Sequence, residues 1–325
     1  MIDNLKLFKI IMKKIFVLLA AVVMTAGVVS AQDINQATEA YNNGAMELQM
    51  GNGAAALTNF QNALSMAEGL GEDAAELTEN CKTGIIAANM AIARALYNSK
   101  DFAGAVEAFN QTKTVAESYG NTEMAQEAAD LAKNSQMNIY NTAGAAAKRS
   151  KDYPTAIENF SKVIEMDPAN GAAAFQLGDC YYRSKNFAEA EKYFLVAKEN
   201  GQEKNAVPRL ANIALMQAKA AIKGKKYQEA YDFANTSLGY DASSNAYETA
   251  GDAAKGLNKT AEAISLYEKA LEGAKPKAAN QIKYKIATAA QETGDKAKAI
   301  EYYTAIAGDP NFAEFANYQI KELSK

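Results

Sequence analysis

The 325-residue chain contains no histidine and no tryptophan, and it has only 2 cysteines and 5 prolines. Without histidine there is no imidazole for a Ser-His-Asp or Cys-His nucleophile, for proton transfer near neutral pH, or for metal binding. Two cysteines cannot complete a structural zinc site by themselves, and they are too few for a disulfide framework. These absences exclude several large classes of enzyme and metalloprotein. We therefore expect a protein that is not an enzyme and that uses no metal or cofactor.

Charge and hydropathy are those of an ordinary globular protein. Apolar residues make up 49% of the sequence and charged residues 22%, which is enough apolar material for a sizeable core. The 34 basic and 38 acidic side chains give a net charge of −4. Because proteins that bind nucleic acids normally have a basic face, this balance argues against a nucleic-acid partner.

The first 31 residues differ in character from the rest of the chain. Four lysines precede an apolar run over residues 15–29, and small residues follow at Ser30 and Ala31. This order is typical of a secretory signal peptide over residues 1–31, cleaved near Ala31. The apolar run is shorter than the ~20 residues that cross a bilayer, although a retained N-terminal anchor is the alternative interpretation. We expect an exported chain, periplasmic or secreted, that is soluble and has no stable membrane insertion after cleavage.

Removal of the predicted signal makes the chain more acidic. The residues after Ala31 include 30 basic and 37 acidic side chains, a net charge of −7. Met12 would begin a more conventional signal than Met1, so both starts stay open. Cys81 and Cys180 are 99 residues apart, and we expect free or buried thiols rather than a disulfide, although export would permit oxidation.

A recurring pattern organises the chain. An alanine, here called the anchor alanine, recurs seven times; a large aromatic residue (alanine in one case) follows four positions later, and a third residue follows three positions after that. Spacings of four and three place such residues on one face of a helix, where they can be buried together. The seven sets are Ala56, Phe60, Ala63; Ala105, Phe109, Thr112; Ala156, Phe160, Val163; Ala190, Phe194, Ala197; Ala230, Ala234, Ser237; Ala263, Tyr267, Ala270; and Ala299, Tyr303, Ile306.

A second recurring position, twelve residues before each anchor alanine, contains only glycine or alanine. We interpret this restriction as close approach of two helices, since a larger side chain would push them apart. Between the paired helices, Asp152 and Asn186 are predicted N-caps, and Pro154 suits a first helical turn. The seven small residues are Gly44, Ala93, Gly144, Gly178, Ala218, Gly251 and Ala287.

These residues resemble the tetratricopeptide repeat, whose pattern is W-x2-L-G-x2-Y in a first helix, A-x3-F in a second helix, and then proline. The best agreement is at Leu177, Gly178, Tyr181, Ala190 and Phe194. From residue 156 onwards the anchor alanines are 34, 40, 33 and 36 residues apart, close to the family period of 34.

The chain also departs from the family pattern, because no repeat has the tryptophan and a terminal proline is in register only at Pro168. The resemblance nevertheless covers most of residues 35–310. It implies an all-α fold: a right-handed superhelix, or α-solenoid, of about seven helix pairs plus a C-terminal capping helix.

The first anchor alanines are 49 and 51 residues apart, so the front of the repeat region is stretched. We interpret residues 73–99 and 122–150 as lengthened first helices, and a separate N-terminal domain is the alternative. The predicted organisation is a signal peptide at 1–31, repeats with lengthened helices at 32–135, a repeat array at 136–310 and a capping helix at 311–325. The capping helix has Phe312, Phe315, Ile320 and Leu323 as its candidate buried side.

One segment has a superficial likeness to a phosphate-binding loop, but its spacing is wrong. The stretch from Gly251 to Thr260 has two extra residues before its Lys-Thr pair, and Gly251 already belongs to the repeat pattern. A phosphate loop follows a strand, whereas this stretch is predicted to be a helix and a turn. We therefore predict no nucleotide site.

The resemblance implies that a protein or peptide partner binds in a concave groove lined by the first helix of each pair. The central groove positions are basic in an otherwise acidic chain, which favours a partner of acidic character; an ordinary solvated helix face is the alternative. The predicted groove residues are Met90, Arg94, Tyr97, Asn141, Lys148, Arg149, Phe175, Asp179, Tyr182, Arg183, Lys219 and Lys223, with Tyr41 and Leu48 before them and Glu248, Asp252 and Tyr284 after them.

Some family members hold a partner's C-terminal carboxylate with Lys, Asn and Arg from consecutive first helices. The matching positions here are Asn141, Ala145, Gln176, Asp179 and Met216, so that pattern is not reproduced. We expect a non-enzymatic protein-interaction scaffold in the cell envelope or outside the cell. The alternative is a structural or assembly subunit of an envelope complex that uses its convex or terminal surface.

Overall fold

The computed structural model describes residues 30–325, which fold into α-helices and turns without any β-strand in that range. The predicted signal peptide lies outside the described residues except for Ser30 and Ala31, which begin the first helix. The first helices of the successive pairs are α1 (Ser30–Gln49), α3 (Ala75–Asn98), α5 (Thr122–Arg149), α7 (Gly171–Arg183), α9 (Glu203–Lys223), α11 (Ser244–Gly256) and α13 (Pro276–Glu292). The second helices are α2 (Gly53–Gly69), α4 (Phe102–Ser118), α6 (Tyr153–Met166), α8 (Phe187–Ala197), α10 (Tyr227–Tyr240), α12 (Thr260–Glu272) and α14 (Lys296–Thr304), and α15 (Ala313–Leu323) ends the chain.

This order confirms the predicted all-α fold of seven helix pairs and a closing helix. Helices α3 and α5 have 24 and 28 residues, so the lengthened first helices are also confirmed. The chain separates into two compact units, one ending at Ala143 and one spanning Gly144–Lys325. The predicted boundary between residues 135 and 136 rests on repeat length and stays a prediction.

The repeat pattern defines the core of each unit. All seven anchor alanines are 0% exposed, and the largest fully buried side chains include the aromatic residues four positions later. Burial of one such ring stabilises the fold by about 1.5–3 kcal/mol relative to its exposure. These aromatic residues are Phe60, Phe109, Phe160, Phe194, Tyr267 and Tyr303.

The small residue of each first helix faces the core position of its partner helix. A Cβ atom added at Gly178 would lie 2.9 Å from Cδ1 of Phe194, and one at Gly144 would lie 3.0 Å from Cε1 of Phe160. The close helix approach predicted for this position is confirmed. A larger side chain at this position would clash with the aromatic ring of the second helix.

The turn inside each helix pair adopts left-handed backbone geometry at one fixed position, five residues before the anchor alanine. Glycine occupies it in the first and last pairs, at Gly51 and Gly294. The other five pairs place L-residues there, with φ between 57° and 66°, at Lys100, Lys151, Lys185, Lys225 and Asn258. Lysine disfavours this geometry, so these turns contain local backbone strain.

Side-chain caps begin several second helices. Asp152 accepts a hydrogen bond from the backbone N–H of Thr155 at 3.3 Å, and Asn186 accepts one from Glu189 N–H at 3.4 Å. Both predicted N-caps are therefore confirmed. Gly251 lies within α11, as expected for a helix rather than a phosphate loop.

The closing helix packs through most of its predicted side. Phe312, Ile320 and Leu323 are partly buried against the last core cluster, and Ala316 is fully buried. Phe315 is 41% exposed, which corrects its place on the buried side, because its ring makes only edge contacts, with Tyr284 at 5.6 Å and Tyr303 at 5.9 Å between centroids. The predicted state of Cys81 and Cys180 is confirmed, since both are free and buried.

Candidate partner-binding site

The second unit brings cations from three first helices to one buried carboxylate. Asp179 of α7 is 2% exposed. Lys148 Nζ, from the last turn of α5, lies 2.6 Å from its Oδ2 atom, and Arg183 Nε lies 2.8 Å from the same oxygen. Arg209 Nη2, from α9, lies 3.2 Å from Oδ1. We name these four residues the Asp179 cluster.

Helix geometry and neighbouring side chains fix the cluster. Arg183 follows Asp179 by one helical turn, which brings the two side chains together on one face of α7. Lys148 of α5 also donates a 2.8 Å hydrogen bond to Oε1 of Gln176 on α7. The guanidinium of Arg209 lies over the ring of Tyr182, 5.4 Å from its centroid. Lys148 and Arg209 thus each have a second contact that limits their movement.

Asp179 stays ionised because its cationic neighbours outweigh its burial. Burial raises the pKa of a carboxyl group, but hydrogen bonds and charges from Lys148 and Arg183 together hold the pKa of Asp179 below its ordinary value. The Oδ1 atom is buried and accepts no hydrogen bond within the described chain. Arg209 is close enough to Oδ1 for charge attraction but lacks hydrogen-bond alignment.

The cluster has an excess of positive charge that remains partly open to solvent. The side chains of Lys148, Arg183 and Arg209 are 21%, 49% and 36% exposed. Three further cations, Arg149, Lys219 and Lys223, are exposed. Across residues 30–325 these three form no ion pair, and they occupy the repeat positions of Arg183 or Asp179. We name these six cations and Asp179 the basic face of the second unit.

Several predicted groove residues are covered. Met90 is 0% exposed and packs in a core cluster with Phe109 and Ala128. Tyr41 and Leu48 are 3% and 5% exposed, in a cluster that includes residues of α3. These three residues do not line a groove, because the additional turns of the lengthened helices α3 and α5 cover positions that are open in a repeat of ordinary length. Asp179 was also predicted to line the groove, but its carboxylate is buried beneath the cations that pair with it.

The other predicted residues of the first unit have internal contacts. Arg94 Nη2 lies 2.5 Å from Oε1 of Glu127, and the hydroxyl of Tyr97 accepts a 3.0 Å hydrogen bond from Asn138. Asn141, half-buried, is near the end of the same unit. The remaining eight predicted residues belong to the second unit, on α5, α7 and α9: Lys148, Arg149, Phe175, Asp179, Tyr182, Arg183, Lys219 and Lys223.

Sequence reasoning missed Arg209. The prediction used groove positions from a repeat of ordinary length, whereas the anchor alanines Ala190 and Ala230 are 40 residues apart. The additional residues extend the start of α9, and Arg209 lies on that extension. The long interval was the available signal, because it showed that α9 begins early enough to bring another side chain beside α7.

A second charged cluster lies further along the same unit. Lys285 of α13 contacts Glu248 and Asp252 of α11, each at 2.7 Å. Asp252 also accepts a 2.8 Å hydrogen bond from the hydroxyl of Tyr267. The two predicted acidic lining residues are therefore present, and Lys285 pairs with both and compensates one of their two negative charges.

Other features of the described chain give no stronger site. The first unit has an open depression of about 360 Å³ whose lining includes Glu79 and Lys82, but these two side chains already pair with each other at 2.7 Å. Among residues 30–325, no group of three or more cysteine or carboxylate side chains is arranged to hold a metal ion. No helix in that range has both the length and the apolar character needed to span a bilayer.

Helix pairs with a common core pattern and a polar first-helix face define a helical repeat protein of the protein-interaction class. Sequence models described as the tetratricopeptide repeat match residues 147–211 and 248–313. These two segments of the chain are therefore tetratricopeptide repeats. Proteins of this family bind protein or peptide partners, so the chain is a protein-interaction scaffold.

Solved structures similar to this chain include those of MamA and YrrB. A MamA crystal structure is 19% identical, covers 54% of this chain and 91% of its own, and has a TM-score of 0.38. MamA from Desulfovibrio magneticus RS-1 is 14% identical, with coverages of 53% and 93% and a TM-score of 0.35. YrrB, described as a TPR protein with an unusual peptide-binding site, is 17% identical, with coverages of 55% and 90% and a TM-score of 0.37. No curated protein matches the chain.

Proposed function

We propose that the chain is an exported, non-enzymatic scaffold that binds an acidic segment of a partner protein on the basic face of its second unit. The observation that carries this proposal is the set of three cations that contact the one buried carboxylate of Asp179, together with three more exposed cations at equivalent positions of the first helices. The chain as a whole is acidic. A local positive face on an acidic protein attracts negatively charged partners and repels positively charged ones. It therefore raises both the rate of association and the specificity of binding.

The side chains between the cations suit a protein partner. Phe175 and Tyr182 are half-buried, and Met216 is 39% exposed. The Tyr182 hydroxyl contacts the Met216 sulfur at 3.8 Å, so residues of α7 and α9 form one mixed surface. Aromatic, methionine and arginine side chains are enriched at the centres of protein interfaces. This composition supports a protein segment over a nucleic acid, as does the negative balance of the chain.

We propose a non-enzymatic function because of the residues that the chain contains. The chain has no histidine, and the one segment with a likeness to a phosphate loop is used for packing. Within that segment, Gly251 lies against the ring of Tyr267.

The binding claim is tested by charge reversal at cations that form no ion pair. We expect the triple variant Arg149→Glu, Lys219→Glu, Lys223→Glu to lose its partner in a pull-down from envelope extract, with recovery falling about tenfold or more. A matched control is Lys204→Glu, Lys277→Glu, Lys321→Glu, which changes the net charge equally at exposed lysines elsewhere. Equal recovery by the two variants would disprove the role of the basic face.

Export is tested separately, because it rests on the sequence of residues 1–31. We expect the N-terminus of the protein isolated from the periplasmic or extracellular fraction to be Gln32. Mass spectrometry of fractionated cells measures this directly. A protein that retains Met1 or Met12 and stays in the cytoplasmic fraction would rule out export.

A second candidate function uses the end of the chain. Phe315 and Tyr318 of α15 are 41% and 60% exposed, which would suit a subunit held in an envelope complex through its terminal surface. In that case the variant Phe315→Ser, Tyr318→Ser would lose the partner. The charge-reversal variant at the basic face would then retain it.

A further inference from the structure

We infer that Arg183 and Arg209 together form a subsite for one Glu or Asp side chain of the partner segment, and that Asp179 is the positioning residue for this pair. The inference rests on the proposed function and narrows it. The basic face as a whole would attract an acidic segment, whereas this subsite would fix its register by gripping a single carboxylate.

Both guanidinium groups have donors to spare. A guanidinium has five N–H donors in a planar fork. Arg183 uses Nε for Asp179 at 2.8 Å, and Arg209 reaches Asp179 at 3.2 Å without hydrogen-bond alignment. With side chains 49% and 36% exposed, the two arginines can offer paired N–H groups to a ligand. Such pairs match the two oxygens of a carboxylate.

Asp179 holds the pair ready for binding. Its side chain is 3% exposed, so it contacts the arginines from the protein side, while their own side chains stay 49% and 36% exposed. Arg183 also interacts with the side chain of Tyr153. Tyr182 supports Arg209 from below its plane. Because flexible side chains lose freedom when they bind a ligand, arginines that are already ordered give up less on binding.

The charge of the cluster suits one carboxylate. Lys148 is the least exposed of the three cations, at 21%, and its ammonium already contacts Asp179 and Gln176. The three cations and Asp179 together have a net charge of +2, and the two arginines are its more exposed part. The cluster already accommodates one carboxylate on its inner side, and we infer a second on its outer side.

The subsite is tested with a short fluorescent peptide of alternating Glu and Leu, acetylated at its N-terminus and amidated at its C-terminus. In anisotropy titrations, Arg183→Gln and Arg209→Gln should each weaken binding about tenfold. The control Lys192→Gln changes an exposed lysine on α8 and should have almost no effect. A peptide with Gln in place of Glu should not bind.

Arg209→Lys separates geometry from charge. It keeps the positive charge but loses the planar fork, so we expect nearly the full loss seen with Arg209→Gln. Unchanged binding would mean that the face acts through charge alone, and the subsite would be disproved.

Asp179→Asn tests positioning, with folding checked by circular dichroism. Removal of a negative charge should strengthen binding of an acidic peptide if Asp179 only neutralises its neighbours. We expect weaker binding instead, because the arginines would lose the anchor that orders them. Stronger binding by this variant would overturn the positioning role.

The outcomes also separate this inference from the proposed function. If Arg149→Glu, Lys219→Glu, Lys223→Glu abolishes binding while the arginine variants bind normally, the basic face stands and the subsite does not. Failure of the unaltered protein to bind the amidated Glu peptide overturns the inference. It is equally overturned if only a free C-terminal carboxylate or a phosphoserine peptide binds.

Discussion

Gly251 of α11 lies against the ring of Tyr267 of α12, where a Cβ atom at residue 251 would come 2.5 Å from the Cε1 atom of the tyrosine. The hydroxyl of the same tyrosine donates a 2.8 Å hydrogen bond to Asp252, the residue after the glycine. The ring is therefore fixed by its backbone and by its hydroxyl, and it cannot turn away without breaking a buried contact. The first and second helices of this pair are locked together at one point.

This contact predicts opposite effects for two Gly→Ala substitutions. Gly251→Ala should lower the free energy of unfolding by about 1–3 kcal/mol, because the methyl group overlaps the ring of Tyr267. Gly239→Ala, in α10, should instead raise it by about 0.5–1 kcal/mol, because no atom lies within 4 Å of the added Cβ and alanine favours a helix. Urea denaturation measures both, and equal effects would show that the ring contact does not control this position.

The left-handed turns predict a gain in stability from glycine. Lys185 has a φ of 66° in the turn between α7 and α8, so Lys185→Gly should raise the free energy of unfolding by about 0.5–1 kcal/mol. The matched control is Lys192→Gly within α8, which should lower it by about 1 kcal/mol. Thermal denaturation of both variants provides the measurement. A loss of stability from Lys185→Gly would mean that the lysine side chain contributes more than its backbone strain removes.

The helix pairs could be predicted from the sequence because their cause is local. Each anchor alanine, such as Ala190, and its aromatic partner Phe194 recur at fixed spacing, and the burial of each trio depends only on its own pair and its neighbours. Met90 could not be placed in the same way. Its burial depends on turns of α5 that have no counterpart in an ordinary repeat, so the repeat register alone gives the wrong exposure.

The Asp179 cluster was only partly predictable for a related reason. The sequence placed Lys148, Asp179 and Arg183 at lining positions, but it did not show that they would pair with one another. Arg209 joins them only because the start of α9 is extended. Contacts between helices depend on the length of each first helix, and that length varies most where the repeat spacing departs from 34 residues.

The paired Asp179 predicts a stability difference that depends on pH. The pKa of Asp179 is lower in the folded protein than in the unfolded chain, so its ionised form stabilises the fold above the unfolded value of about 3.9. This contribution is lost as the pH falls through the lower, folded pKa. Asp179→Asn should therefore lower the free energy of unfolding by about 1–3 kcal/mol near neutral pH.

The difference between the two proteins should shrink as the pH falls below about 4. Chemical denaturation at several pH values provides the measurement, and Asp241→Asn is a control at an exposed aspartate that forms no ion pair within residues 30–325. A difference that stays constant down to about pH 2 would show that the loss comes from packing rather than from charge.

The burial of the two thiols predicts when they react. Burial raises the pKa of Cys81 to about 12 and that of Cys180 to about 11, so neither forms much thiolate at mildly alkaline pH. We expect almost no reaction of the native protein with Ellman's reagent and reaction of both thiols in denaturant. A denatured protein with no reactive thiol would indicate a disulfide and contradict the free thiols of the structure.

The same thiols provide a test of the Asp179 cluster within one molecule. Cys180 follows Asp179 on α7, whereas Cys81 belongs to the first unit. Because a buried thiol reacts only when its surroundings open, Asp179→Asn should accelerate the labelling of Cys180 and leave Cys81 unchanged. Mass spectrometry after timed alkylation distinguishes the two sites. Equal acceleration at both cysteines would mean that the substitution destabilises the whole chain, and the local role of the cluster in holding α7 against α5 and α9 would have to be abandoned.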